Sequence, residues 1–343
     1  MAITEDELQD FAQRIRQASR PLIYYDDDAD GLASYLLVHH ANRDAIGVRC
    51  GRGPEVDAEF ARKIHENQPD LVVILDKPRV SDEFFTSYNT PTLWLDHHDP
   101  TAYKKRGHVT YLNPRVHNDH DNRPTSYWVW LALGGPVWIA GVGTTADWHD
   151  SLLVDVRRAH PELLGRVRGI KGALYRSPLG ELVRIFNFSL KGATKHIRGC
   201  VNTLKKIEHP KELLTGNTPR GRFILKHVKP ILVEYEEQLR QAQQTRSRKG
   251  VFVHIFSAHK NSLVAEVANE LLVRRRTPLI IVGRRTGGEI KFSMRSHTRD
   301  LPPIVEKALQ GVEGYGGGHR DACGGSVSER DWKRFIAQVR KHV

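Results

Sequence analysis

The sequence predicts an α/β protein of two α/β domains, an N-terminal one around a parallel sheet and a smaller C-terminal one, joined by a basic helical connector. Three observations carry this. Short apolar runs alternate with amphipathic stretches between residues 21 and 150. The strand-like runs disappear between 151 and about 248, where basic helix-forming segments take over, and they return from Val251. The predicted boundaries are 1–150, 151–248 and 249–343.

Leu22–Tyr25, Ala45–Arg49, Leu71–Leu75 and Thr92–Leu95 are the expected strands of the first domain. Between them, Leu32–Ala41 sets Leu32, Tyr35, Leu36 and His39 on one helical face, and Val56–Asn67 does the same with Val56, Phe60 and Ile64. This alternation predicts a mostly parallel sheet covered on both faces. Pro230–Gln244 is the clearest helix of the connector, and the run Thr245–Gly250 reads as the linker into the last domain. There, Val251–Phe256, Pro278–Val282 and Glu289–Arg295 read as strands, and Asn261–Arg274 and Arg330–His342 as helices.

With 343 residues and 39% hydrophobic content, the chain is long enough for two or three cores and is not a disordered polymer. Its three scattered cysteines, Cys50, Cys200 and Cys323, form neither a disulfide framework nor a zinc knuckle. The acidic N-terminus lacks a signal-peptide core and no apolar run approaches a membrane span, so a soluble cytoplasmic protein is expected. The net charge of +12 is unevenly spread. Residues 1–150 hold 15 Lys and Arg against 23 Asp and Glu, residues 151–250 hold 21 against 8, and the remainder holds 16 against 9. The basic two-thirds suit a polyanion such as a nucleic acid, or a solubilising and ion-paired surface.

The acidic third carries the chemistry. Asp26-Asp27-Asp28-Ala29-Asp30-Gly31 follows one apolar run and Asp96-His97-His98 follows another, the position where parallel sheets gather functional groups. Carboxylates this dense repel one another unless a cation sits among them, and added imidazoles favour a divalent transition metal. A calcium loop would need Glu at its twelfth position, where Leu37 stands. Use of these aspartates as a simple helix cap and turn is the alternative. Asp76 closes Leu71–Leu75, and Asp147 follows the apolar stretch Val137–Val142. Together they form a set of carboxylates and imidazoles, expected at the ends of several strands, of the kind a two-metal hydrolytic centre needs.

Spacing, order and local sequence of these motifs resemble the DHH phosphoesterase superfamily over residues 21–150, and Ser293, Arg295 and Gly316-Gly317-Gly318-His319 resemble its DHH-associated C-terminal domain. The resemblance implies that Asp26, Asp28 and Asp76 hold one ion and Asp30, Asp76, His97 and Asp147 the other. It further implies that His98 approaches the phosphate, that Asp96 orients a histidine, and that the ions are two Mn2+, with Mg2+ as the alternative. Ser293, Arg295 and His319 would take the nucleotide end, and the glycine loop would offer backbone N–H groups to a phosphate.

The fourth motif, Gly143–Asp147, is most similar to RecJ-type exonucleases, particularly compact archaeal ones. This implies degradation of single-stranded DNA or RNA, with replication or repair proteins as partners and the connector lining a strand channel. Other members of the superfamily hydrolyse short oligoribonucleotides or 3′-phosphoadenosine compounds, and one keeps the fold as a replisome scaffold. Asp26 stands where many relatives have His. The polarity of digestion and the oligomeric state stay open.

Other residues have plainer readings. His117–Asp121 reads as an exposed polar loop rather than a second metal cluster. Tyr127, Trp128 and Trp130 read as core on a helix starting near Pro124, although aromatic rings can also stack bases. His39 and His40 need no ligand role, and Arg115 is a candidate phosphate contact.

Overall fold

The architecture is that of a computed structural model describing residues 3–51, 53, 55–257 and 261–343. It divides into two compact units, Met1–Leu190 with Thr194–Lys226, and Lys191–Ala193 with His227–Val343.

The first unit opens with α1 (Glu5–Gln17), whose Thr4 and Glu7 form a reciprocal capping box. Then follow β1 (Pro21–Asp26), α2 (Ala29–Ala41), β2 (Ile46–Cys50), α3 (Ala58–Asn67), β3 (Leu71–Leu75), β4 (Thr92–Leu95) and β5 (Val109–Leu112). The five strands form one parallel sheet in the order β2-β1-β3-β4-β5. Every residue of β3 and β4 is buried, which is why these strands are unbroken apolar runs rather than alternating ones. The strand order reverses beside β1, so the carboxyl ends of β1, β3 and β4 lie side by side at a topological switch point, where open α/β sheets bind ligands.

Helix α2 is buried continuously from Ala29 to His39 and packs against α4 (Thr125–Leu133) and α5 (Val137–Ala146). Helix α5 corrects an expectation. The approach to Asp147 is a helix enclosed on nearly all sides, and its uniform apolarity carries no period that tells it from a buried strand. The basic segment continues as short helices and then α6 (Pro178–Ser189), α7 (Thr194–Leu204) and α8 (Pro219–Gln243). The last of these runs through Pro230, beginning well before the expected start. Its residues Ile224, Val228, Ile231, Tyr235, Leu239 and Ala242 make a buried stripe at helical spacing.

The second unit is built on β6 (Val251–Phe256), β7 (Leu279–Thr286), β8 (Glu289–Arg295), β9 (Gly314–His319) and β10 (Ala322–Ser328) in the order β9-β10-β8-β7-β6. Only the β6–β7 pair is parallel. Helix α9 (Val264–Arg274) packs on β7 and β8. Helices α10 (Leu301–Ala308) and α11 (Trp332–His342) enclose a core of Phe292, Met294, Val305, Cys323 and Phe335. The glycine string expected as a loop is edge strand β9, paired with β10 across a two-residue turn. Close packing explains two of its glycines. A Cβ on Gly318, whose φ is +149°, would lie 2.3 Å from the Ala322 carbonyl oxygen, and one on Gly316 would lie 3.0 Å from Val305 Cγ1. Among the described residues, no helix is long and apolar enough to cross a membrane.

Candidate metal centre

The carboxyl ends of β1, β3 and β4 deliver Asp26, Asp76 and Asp96 to one edge of the first sheet. The chain turns directly from β1 into α2, so Asp28 caps the helix, accepting from Gly31 N–H at 2.9 Å, and Asp30 lies in its first turn. Gly31 is required here, because a Cβ would meet the Asp26 backbone at 2.7 Å. Asp147 arrives at the C-cap of α5 rather than at a strand end. Gly143 of the same motif lets α5 approach, since a Cβ there would lie 2.3 Å from Ser126 Oγ and 2.7 Å from Asp30 Oδ1.

At this edge, three sets of side chains each bring candidate ligand atoms within 4.8 Å of one another: Asp26, Asp28 and Asp76; Asp30, His97 and Asp147; and Asp76, His97 and His98. Asp76 and His97 each belong to two sets. Asp76 adopts φ +61°, sparsely used by residues with a Cβ, while its amide donates to Leu95 O at 3.0 Å. His97 Nε2 lies 3.1 Å from Asp147 Oδ2 and 3.4 Å from Asp76 Oδ1. Its Nδ1 faces the Asn122 carbonyl at 3.2 Å, which places a proton on Nδ1 and turns Nε2 toward the carboxylates. His98 is held through Nδ1 by fully buried Asp96 at 2.8 Å, and Asn113 donates to the other Asp96 oxygen at 3.3 Å.

The electrostatics call for a cation. Burial, followed by repulsion from Asp147, Asp26 and Asp30, pushes Asp28 up to about 8. Burial and Asp147 push Asp30 up to about 7 against the opposing hydrogen bonds of Ser126. Asp76 rises well above the carboxylate range through burial and the charges of Asp28 and Asp30. Burial acts to lower His97, but its contacts with Asp147 and Asp76 outweigh this and raise it well above the ordinary histidine value. Asp76 Oδ2 and His97 Nε2 are buried without a hydrogen-bond partner. A carboxylate oxygen and an imidazole nitrogen buried at one point, facing further carboxylates, fit a bound divalent transition metal.

One participant was not legible in the sequence. Lys77, next to Asp76, is fully buried, and its Nζ donates to Asp26 Oδ1 at 2.8 Å and to the Gly53 carbonyl at 2.7 Å. Asp27 turns away to pair with Arg49 at 2.5 Å. Thr125, Ser126, Asn113 and Asn122 also escaped sequence reading, because they support the ligands from distant segments.

In the second unit, strand register sets Ser293 beside Gly324 and Gly317, and Arg295 beside Ala322 and His319, on one face of the sheet. Arg295 Nη1 donates to Ser293 Oγ at 2.7 Å and Nε to Asn269 Oδ1 at 2.5 Å, so the guanidinium is held in place from two sides. A Cβ on Gly317 would meet nothing within 4 Å. The glycines thus differ: Gly316 lies against Val305 and Phe292 and Gly318 against the β10 backbone, while Gly317 leaves open space beside the polar residues.

Arg115 pairs with Asp99 at 2.6 Å. Residues 117–120 are exposed. Trp128 is fully buried, and the Arg123 guanidinium lies 4.6 Å over the Tyr127 ring and 4.4 Å over that of Trp128.

Residues 249–343 match the family described as the DHHA1 domain. The fold is similar to that of RecJ from Thermus thermophilus, solved in complex with Mn2+, at 17% identity and a TM-score of 0.65, covering 98% of this chain and 54% of that one. The chain therefore spans about half the length of that RecJ. It is also similar to an exonuclease RecJ bound to manganese, at 17% identity and a TM-score of 0.62 over 100% of this chain and 95% of the other. A pGpG-specific phosphodiesterase from Vibrio cholerae is similar at 13% identity and a TM-score of 0.52, over 94% and 98% of the two chains. At these identities the likeness is one of fold, and no curated protein matches the sequence. Residues 249–343 are thus a DHHA1 domain, and over the whole chain the likeness to RecJ is one of fold.

Proposed function

We propose that this protein is a manganese-dependent phosphodiesterase that removes nucleotides from an end of single-stranded DNA or RNA. The observation that carries this reading is the convergence of Asp26, Asp28, Asp30, Asp76, His97 and Asp147 beside a histidine locked by a buried aspartate. Asp26, Asp28 and Asp76 would hold one ion and Asp30, Asp76, His97 and Asp147 the other. Such ions polarise phosphoryl oxygens and lower the pKa of water. The chain's own residues supply the rest. Asp96 holds the Nδ1 proton of His98 and, against burial, favours the imidazolium, whose Nε2–H can donate to the scissile phosphate and steady its developing charge. Ser293, Arg295 and His319 would bind the nucleotide end, with the open strip at Gly317 admitting a phosphate or sugar close to the backbone. The positive charge of the chain outside the acidic third supports a polyanionic substrate.

The test is degradation of end-labelled single-stranded DNA and RNA, from dinucleotides to long strands, with Mn2+ or Mg2+. Wild type, Asp76→Ala and His98→Ala are compared. Stepwise shortening that depends on the metal and is lost in both variants is expected, and full activity in both would overturn the two-metal assignment. The similarity to a pGpG-specific phosphodiesterase of nearly equal length supports a second reading, hydrolysis of very short oligonucleotides. Activity that falls sharply beyond a few nucleotides would select it.

A further inference from the structure

A second concave site lies in the first unit, at the other end of the helices that carry the metal ligands. A cavity of about 500 Å3 is lined by the C-terminal part of α2, the start of α5 and the segment after α7. That volume is within the range of small-molecule sites. His39 lies nine residues beyond Asp30 on α2, about 13 Å along the helix at 1.5 Å per residue. The cavity is therefore separate from the acidic cluster.

Its wall has two chemistries. Leu36, Ile139, Leu204 and Ile207 are buried apolar side chains that line one part, together with Pro136. Arg43, Lys205, Lys206 and Arg220 line the rest, with His39 and His40 beside them and Glu208 as the one acid. Arg220 is already engaged, 3.3 Å from both Glu208 and Glu212. Among the described residues, no carboxylate forms an ion pair with Arg43, Lys205 or Lys206. Arg43 instead reaches the ring nitrogen Nδ1 of His40 at 3.3 Å.

The crowding is felt by the groups themselves. Lys205 is lowered by burial and then by Lys206 and Arg43, and His39 is pushed down to about 4 by burial and then by Lys205. Uncompensated like charges in a concavity raise the local concentration of anions. An apolar wall beside them selects an anion with an organic body.

We propose that this cavity binds a small phosphorylated organic anion of the mononucleotide class, its phosphate held by Arg43, Lys205 and Lys206 and its base or sugar against Leu36, Ile139 and Ile207. The site is independent of the metal centre and of the Ser293–Arg295 face.

The test is titration calorimetry on the full chain in EDTA, with AMP, adenosine and inorganic phosphate as probes. Saturable AMP binding is expected, at least tenfold tighter than phosphate and with adenosine not binding. In the Arg43→Gln/Lys205→Gln double variant the AMP affinity should fall at least tenfold, with the melting temperature unchanged because both side chains reach the surface. In Arg295→Ala and Asp76→Asn, the AMP binding that depends on Arg43 and Lys205 should stay within about twofold of wild type. Four results would each overturn the proposal: no saturable AMP binding; binding indifferent to the double variant; binding lost in Arg295→Ala or Asp76→Asn; or phosphate binding as tightly as AMP.

Discussion

Asp28→Asn should stabilise the metal-free protein at neutral pH while weakening its response to Mn2+. Asn is nearly isosteric with Asp and caps helices equally well, so the Gly31 N–H bond at 2.9 Å survives and the substitution removes little besides charge. In the folded protein the Asp28 carboxyl is pushed up to about 8 from 3.8. A raised carboxylate costs nothing below the unfolded value. Its penalty grows as pH climbs through 3.8 and levels off above about 8.

At 1.36 kcal/mol per pKa unit the full conversion is about 5–6 kcal/mol, and partial access to water reduces it to about 2–4 kcal/mol. The assay is urea unfolding in EDTA at a pH near 4 and at one near 8, followed by tryptophan fluorescence. Five of the six tryptophans belong to the first unit, so the signal reports the part that carries Asp28. The variant should match wild type at the low pH and exceed it by that margin at the high one. Adding Mn2+ should stabilise wild type more than the variant, which keeps the Asp30, His97 and Asp147 position but loses a ligand of the other. A variant less stable than wild type in EDTA at the high pH, or equally stabilised at both, would refute the electrostatic reasoning.

Three further expectations follow from the same geometry. Asp96→Asn removes the anchor of His98 without removing a ligand, so kcat should fall about 10- to 100-fold while Mn2+ affinity, read by calorimetry, stays within a few-fold. Gly318→Ala, which would force a Cβ to within 2.3 Å of a carbonyl, should destabilise the second unit by about 1–3 kcal/mol in thermal unfolding, whereas Gly317→Ala should be nearly neutral and weaken substrate binding instead. Because Asp28 and Asp30 titrate near 8 and 7 and His97 is raised, Mn2+ must displace protons. Its apparent affinity should weaken as pH falls below about 8, and calorimetry in buffers of different ionisation enthalpy should register proton release.

The buried strands were the most legible part of the fold. Leu71–Leu75, Thr92–Leu95, Val251–Phe256 and Glu289–Arg295 coincide with observed strands to the residue, since each apolar or alternating run ends at a charged or turn-forming residue. Val109–Leu112 was not read because it is a half-buried edge strand with little apolar contrast. The glycine strand β9 was read as a loop because glycine has low strand propensity, and its pairing with β10 is a tertiary fact. In the site, the aspartates and histidines that converge are ones to which the motifs and the family resemblance pointed together. Their supports were invisible for a physical reason: Ser126 reaches Asp30 across 96 positions, and no local pattern records such a contact. Lys77 was missed because lysine is a residue of surfaces, and only the fold shows this one with no exposure at all.

That lysine makes the two ion positions unequal. Around Asp26, Asp28 and Asp76, one acceptor is already taken by an ammonium group at 2.8 Å that the chain itself supplies and cannot release. Around Asp30, His97 and Asp147, the neutralising charge in the metal-free protein is a proton on His97, which an incoming ion displaces. The second position should therefore fill first and the first only at higher Mn2+, giving two separable binding steps. Lys77→Met keeps the length and apolar stem of the side chain and removes the competing charge. Breaking the pair leaves Asp26 without its partner, so the metal-free variant should lose about 1–3 kcal/mol of stability, less than a fully buried pair because Asp26 keeps some contact with water. The same substitution should bring the weaker step toward the stronger one and let Mn2+ restore the lost stability, as binding to the native state requires. Calorimetry and Mn2+ electron paramagnetic resonance on the two proteins check this. Two equal steps in wild type, or a weaker step unmoved by Lys77→Met, would show that the ammonium does not compete for Asp26.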